Sequence, residues 1–201
     1  VSTQVSTREH ILKQAVLLMG QKGYRGVTTK EIADASGVSE MTIFRHFGSK
    51  GNILQAAMES YSYIPCMEQL FATQLTYNLE DDLYIISKTY QNMMKRNQNL
   101  IWIGFNERYT MPEVHETASK NPRQLKEFIM NYFAEMENKG LLRPVDHEAQ
   151  AMSLLWMNAG YFITDASLPS DMQMVSSVST ESFLSESIST FARGLKPDAN
   201  S

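Results

Sequence analysis

The chain has 201 residues, 43 % of them hydrophobic and 20 % charged, so it buries a core and is not a disordered tail. A single cysteine, Cys66, rules out an internal disulfide framework and a zinc finger, and no run approaches ~18 apolar residues, which rules out a spanning helix. The net charge of −4 is uneven: residues 1–50 hold seven Lys and Arg against four Asp and Glu, a balance of +3, which leaves −7 for residues 51–201. A small basic head on an acidic body points to an anionic partner for the head. No G-x-x-x-x-G-K or G-x-G-x-x-G run is present, so no nucleotide cofactor is expected. No basic, apolar and cleavage-site pattern opens the sequence, and the expectation is a cytoplasmic protein with no membrane partner.

Along the chain, Ile11, Leu12, Ala15, Val16, Leu18 and Met19 recur at helical spacing, and Gly20, Gly23 and Gly26 then punctuate a turn. Thr28-Thr29-Lys30-Glu31 has the form of a capping box and opens a short helix with Ile32, Ala33 and Ala35. Ser36-Gly37-Val38 reads as a tight turn in which Gly37 takes a positive φ. Ser39 caps a second short helix, Glu40 to His46, and Ser49 caps a third from Lys50, which Pro65 should kink or end. Met67, Leu70, Phe71 and Leu75 resume a helical stripe, residues 78–82 form a polar break, and Leu83 to Met94 is the next helix. Leu100 to Tyr109 follows, with Trp102, Phe105 and Tyr109 on one face.

Asn121-Pro122 reads as a cap with proline at the first helical position, and Leu125, Phe128, Ile129, Tyr132, Phe133 and Met136 step at three and four until Gly140. Asp146 caps a helix that is apolar nearly all round, a polar connection with Pro169 covers 165–178, and Thr180 starts the last helix. No alternating strand pattern occurs. The expected fold is all-α with about nine helices: an N-terminal three-helix head over 1–50 and a helical ligand-binding and dimerisation body over 51–201.

Two short capped helices joined by Ser-Gly-Val form a helix-turn-helix pattern, whose second helix enters the DNA major groove. Its outer face carries Glu40, Met41, Thr42, Phe44, Arg45 and His46. Its inner face carries Val38, Ile43 and Phe47, which close a small core against Leu12, Ala15, Ile32 and Leu54. Exposing an aromatic, an arginine and a histidine on so short a helix calls for a partner. The stretch "TTKEIADASGVSEMTIFRHFGSKGNIL", preceded by "REHILKQAVLLMGQKGYRGVT", resembles the TetR family of bacterial transcriptional regulators over about the first quarter of the chain. The resemblance implies phosphate contacts from Thr29 and Lys50, and a phosphate or base contact from Lys30. It further implies base reading by Glu40, Met41 and Arg45, and phosphate or mixed contacts from Thr42, Phe44 and His46. Ser39, the cap of the second helix, joins the candidate DNA contacts. Thr28, Thr29 and Ser39 also serve as caps whether or not DNA binds, and Phe44 has core packing as its alternative. Gly51 departs from the family, which more often has an acidic or helix-forming residue there, and loosens its helix by ~1 kcal/mol relative to Ala.

The body is rich in aromatics and methionine, a mixture that suits an apolar pocket with a few polar groups. Candidate ligand-binding residues are Tyr61, Met67, Phe71, Tyr90, Met94, Trp102, Phe105, Tyr109, Phe128, Tyr132, Trp156 and Asn158, with ordinary core packing as the alternative for each. Glu107 reads as a receiver of a cationic or hydroxyl group, or as a surface partner of Arg108. The resemblance implies that the last two helices of each chain form a four-helix dimer bundle, so that each subunit reads one half-site of a palindrome. His115-Glu116 and Asp146-His147-Glu148 lack the H-E-x-x-H spacing of a metal site, and no catalytic residue or metal ligand is assigned. Cys66 reads as a buried structural cysteine, with a thiol sensor as the alternative. The resulting expectation is a homodimeric repressor that binds a palindromic double-stranded DNA operator and is released by a small hydrophobic effector. Its rivals are a regulator with a packed body controlled by a protein partner and, more remotely, an enzyme.

Overall fold

Helix starts in this chain are set largely by side chains that accept hydrogen bonds from first-turn N–H groups, which have no partner within the helix. Ser6, Thr28, Ser39, Ser49, Asp146 and Ser179 all do this, and Glu9 and Glu31 complete reciprocal capping boxes with Ser6 and Thr28. The computed structural model describes residues 6–166 and 178–197, apart from the side chains of His115, Asp165 and Ala166. Among the described residues the fold is all-α, with no strand. The helices are α1 (Thr7–Lys22), α2 (Thr29–Ser36), α3 (Glu40–Phe47), α4 (Lys50–Ser60), α5 (Ile64–Thr73), α6 (Leu79–Arg96), α7 (Gln98–Glu107), α8 (Pro112–Asn138), α9 (His147–Tyr161) and α10 (Thr180–Leu195). A π-helical turn, Phe162–Ala166, continues α9. All but the ends of the polar connection expected over 165–178 lies outside the described residues.

Boundaries differ from the sequence reading at two prolines, and α6 starts at Leu79, inside the polar break expected over 78–82. Pro65 does not end α4, which stops at Ser60; it occupies the first turn of α5, where its missing N–H costs nothing. Pro122 does not start a helix, because α8 begins at Pro112 and runs through it. An interior proline costs ~3 kcal/mol. Burial of Val114 before it and of Leu125 and Ile129 after it outweighs that cost.

The chain divides into two compact units, one of residues up to Ser62 with Asn97–Lys120, the other of Tyr63–Arg96 with residues from Asn121 on. In the first, α1 packs against α2, α4 and α7. Its core holds Ile11, Leu12, Ala15, Ile32, Ile43, Phe47 and Leu54, with Val38 partly buried against it. These are the residues expected to close the small head. Gly37 takes the left-handed conformation at φ 65° that the α2–α3 turn requires. In the second unit, α6 is central and packs against α5, α9 and α10, with Leu83, Ile86, Tyr90 and Met94 buried. Asp82, 1 % exposed, accepts from the Thr76 N–H at 2.8 Å, the Tyr77 N–H at 2.8 Å, the Thr76 hydroxyl at 3.1 Å and the Tyr132 hydroxyl at 2.8 Å. Those four donors make a buried carboxylate tolerable and tie α6 to α8.

Candidate nucleic-acid interface and ligand-binding residues

Within the first unit, α3 is fastened by its inner face and leaves its outer face in solvent. Ile43 is 0 % and Phe47 7 % exposed, whereas Met41 is 76 % and Phe44 48 % exposed. Each buried side chain contributes ~1.5–3 kcal/mol, enough to fix the rotation of a two-turn helix. Arg45 and His46 are also exposed, and so is Lys30 at the start of α2. The outer face of α3 therefore offers a guanidinium, an imidazole and an aromatic ring, and the start of α2 adds an ammonium. That set suits phosphates and base edges.

The remaining DNA candidates carry structural bonds as well. Ser39 Oγ accepts from the Thr42 N–H at 3.2 Å and lies 2.9 Å from Thr42 Oγ1. The Thr29 hydroxyl donates to Glu40 Oε1 at 2.5 Å, so the first residue of α3 is held by the first residue of α2. That pairing links two residues eleven positions apart, and no spacing rule reveals it. Lys50 turns its ammonium inward, donating to the carbonyls of Tyr24 at 2.9 Å and Val27 at 2.7 Å, with Nζ 4.3 Å from the Tyr24 ring centroid. It thus clamps the turn between α1 and α2. Arg8 adds a guanidinium 5.3 Å over the Phe47 ring.

The twelve ligand candidates fall in both compact units. Tyr61, Trp102, Phe105 and Tyr109 belong to the first, and the other eight to the second. Tyr109 is 82 % and Phe105 42 % exposed on α7 and just beyond its end, while Trp102 is half-buried with its ring 5.9 Å from that of Phe105. In the second unit Phe71 meets Phe128 at 5.5 Å and Tyr132 at 6.4 Å, and Tyr90 meets Tyr63 edge-on at 5.8 Å. Burial pushes the Tyr63 phenol well up and the Tyr90 phenol up to about 12. Met67 and Met94 are buried, whereas Trp156 is 68 % exposed on α9. Cys66, read from sequence as buried, is exposed on α5, because it faces away from the Ile64, Met67 and Leu70 side of that helix.

Asn158 is the polar centre of the second unit. Its Nδ2 donates to Ser87 Oγ at 3.0 Å and to the Leu154 carbonyl at 2.9 Å. Gln91 Nε2 donates to the Asn158 carbonyl at 2.8 Å and to its Oδ1 at 3.1 Å. Gln91 Oε1 is buried and accepts no hydrogen bond among the described residues. Gln91 escaped the sequence reading, although a signal existed: with Ser87 it lies on the same helical face as Leu83, Tyr90 and Met94. No group of three or more His, Cys, Asp or Glu among the described residues could hold a metal ion.

Residues 11–57 match the family model described as bacterial regulatory proteins, tetR family. The HTH-type transcriptional regulator YvkB of Bacillus subtilis (strain 168) is 29 % identical over 192 residues, covering 96 % of this chain and 98 % of its own. Among solved structures, the TetR-family regulator PfmR of Thermus thermophilus is 18 % identical with a TM-score of 0.72, covering 93 % of this chain and 99 % of its own. AibR, in complex with isovaleryl coenzyme A and operator DNA, is 21 % identical with a TM-score of 0.68, covering 92 % of this chain and 97 % of its own. With α2 and α3 arranged as a helix-turn-helix whose outer face is exposed, residues 11–57 of this chain form a DNA-binding domain of the TetR-family type, in a chain similar to an HTH-type transcriptional regulator along nearly its whole length.

Proposed function

We propose that the protein is a cytoplasmic homodimeric repressor that holds a palindromic operator through α2 and α3 and releases it when a small, mostly hydrophobic effector binds the body. The observation that carries the reading is the outer face of α3, where Met41, Phe44, Arg45 and His46 are exposed together while Ile43 and Phe47 anchor the helix. In this reading residues 1–50 supply the DNA contacts and 51–201 the effector site and the dimer. Two copies place two recognition helices on successive major-groove faces, which a palindrome requires. The effector reading is supported by Gln91, a buried amide with an unused acceptor beside an aromatic and methionine-rich helix face. A ligand with one hydroxyl or N–H donor on an apolar body satisfies it. The solved neighbour AibR, holding both an acyl thioester of coenzyme A and operator DNA, supports the same class of response. A ligand that prefers one conformer shifts operator affinity by that preference.

The test is titration of the purified protein against DNA upstream of its own gene at several salt concentrations, with unrelated DNA as control. The expected result is specific binding, two subunits per site and a steep salt slope. A thermal-shift panel of apolar compounds then separates the effector reading from a packed body under a protein partner. A native-state ligand raises the melting point with concentration, and a filled core answers to none. Failure to bind specifically to any fragment of the source genome overturns the regulator reading for this chain.

A further inference from the structure

The first compact unit contains a groove of about 370 Å³ between α1 and α7, lined by Met19, Gly20, Tyr24, Trp102, Asn106 and Glu107 among others. Glu107 is 8 % exposed, an unusual place for a carboxylate. Its recorded partners, the Thr110 hydroxyl and the Arg25 guanidinium with Nε at 3.8 Å, both approach Oε2. The Arg25 side chain is 74 % exposed and too far for a hydrogen bond, so it neutralises the carboxylate weakly. Glu107 stands in the wall of a groove also lined by the aromatic side chains of Trp102 and Tyr24. Nearby charge reinforces this sign: burial, then the carboxylates of Glu107 and Glu113, raise the Tyr24 phenol above its ordinary value. The ammonium of Lys50 is committed to the Tyr24 and Val27 carbonyls.

A buried carboxylate in a groove lined by aromatic side chains, flanked by Asn106, is complementary to an organic cation with an apolar body. A neutral or anionic ligand would bring no positive charge to complement Glu107. We propose that the groove between α1 and α7 is a binding site for a small aromatic or alkyl ammonium ion, seated on Glu107 beside Trp102. Such a ligand touches the helix against which α2 and α4 of the DNA-binding head are packed. Gln91, which supports the effector reading, lies in the second unit and does not line this groove, and the test of this site does not require an operator.

The experiment is calorimetric titration of the full-length chain with phenyltrimethylammonium and, in parallel, with cumyl alcohol, a neutral molecule of nearly the same shape. The expected result is one site per chain, with the cation bound at least about tenfold more tightly. Trp102 is one of two tryptophans, and its indole N–H resonance should shift while that of Trp156 does not. Glu107→Gln should reduce the affinity for the cation about tenfold and leave cumyl alcohol unaffected. Arg25→Ala, at an exposed position, should tighten the cation by removing a competitor; a purely structural Glu107 would not produce that gain. Equal affinity for the two compounds, no binding of either, or cation binding indifferent to Arg25→Ala overturns the proposal. The last comparison decides the matter even if Glu107→Gln fails to fold.

Discussion

Lys50 shows how one residue can be claimed by two explanations. The family resemblance makes it a phosphate contact, while the structure gives its ammonium to two carbonyls in the turn between α1 and α2. Lys50→Met keeps the stem and removes both bonds, leaving two partly buried carbonyls without that donor. The expected loss is about 1–3 kcal/mol, read by chemical denaturation. A variant as stable as the parent, with only its DNA affinity reduced, would make Lys50 a DNA contact alone. Glu31 gives the pH prediction at this scale. The Lys22 ammonium, 2.7 Å away, then the N–H and hydroxyl of Thr28, lower its carboxyl from 4.5 to about 2. A carboxyl whose folded value lies below its unfolded one stabilises fully above the unfolded value and loses that contribution as pH falls towards the folded one. The support Glu31 gives to the start of α2 is therefore present at neutral pH and fades between pH 4.5 and about 2. A carbon-detected titration of the Glu31 carboxyl should show its midpoint near the lower value; a midpoint near 4.5 would dissolve the assignment.

At the scale of the element, α3 and α8 carry opposite lessons. Helix α3 is short, capped and two-faced, and its pattern alone told inside from outside. Its exposed Arg45 should favour guanine through a bidentate bond worth ~1–3 kcal/mol of discrimination. Arg45→Ala is therefore expected to relax base preference at one position per half-site in a binding-site selection, whereas Lys30→Ala should weaken all sequences alike if it serves a phosphate. Helix α8 misled the sequence reading because Asn121-Pro122 has the local chemistry of a helix start. Its continuation through Pro122 depends on burial at Val114, Leu125 and Ile129, which no local rule contains. Pro122→Ala tests this directly. In a helix interior the change should raise stability by up to ~3 kcal/mol, whereas at a first helical position it would be nearly neutral. Thermal unfolding reads the difference.

Across the whole molecule, the exposed Trp156 on α9 marks the surface expected to bury itself in a dimer, while Tyr161 stacks on Phe183 at 4.1 Å and joins α9 to α10. A large aromatic left 68 % exposed on a nearly all-apolar helix is the kind of residue a two-fold interface covers. Sedimentation should give twice the chain mass of 22.9 kDa for the parent protein, and Trp156→Arg should give the monomer. The same variant should lose cooperative operator binding while retaining its helix content. A monomeric parent, or a dimer indifferent to this change, would place the interface elsewhere.

By itself the sequence determined the helical class, the caps at Thr28, Ser39, Ser49 and Asp146, the turn at Gly37 and the division of α3 into buried and exposed faces. These are decided within about four residues by capping bonds, the freedom of glycine and helical periodicity, so the neighbours that matter are neighbours in sequence. Tertiary structure alone decided which aromatics are core and which are surface: Tyr132 and Tyr109 both read as stripe residues, yet Tyr132 is buried on α8 and Tyr109, past the end of α7, is exposed. It paired Thr29 with Glu40, turned Lys50 onto the Tyr24 and Val27 carbonyls, left Gln91 Oε1 without a donor and set Glu107 in the wall of a groove. Each of those depends on segments far apart in the chain meeting at one distance and rotation, and spacing within a helix carries no information about that meeting.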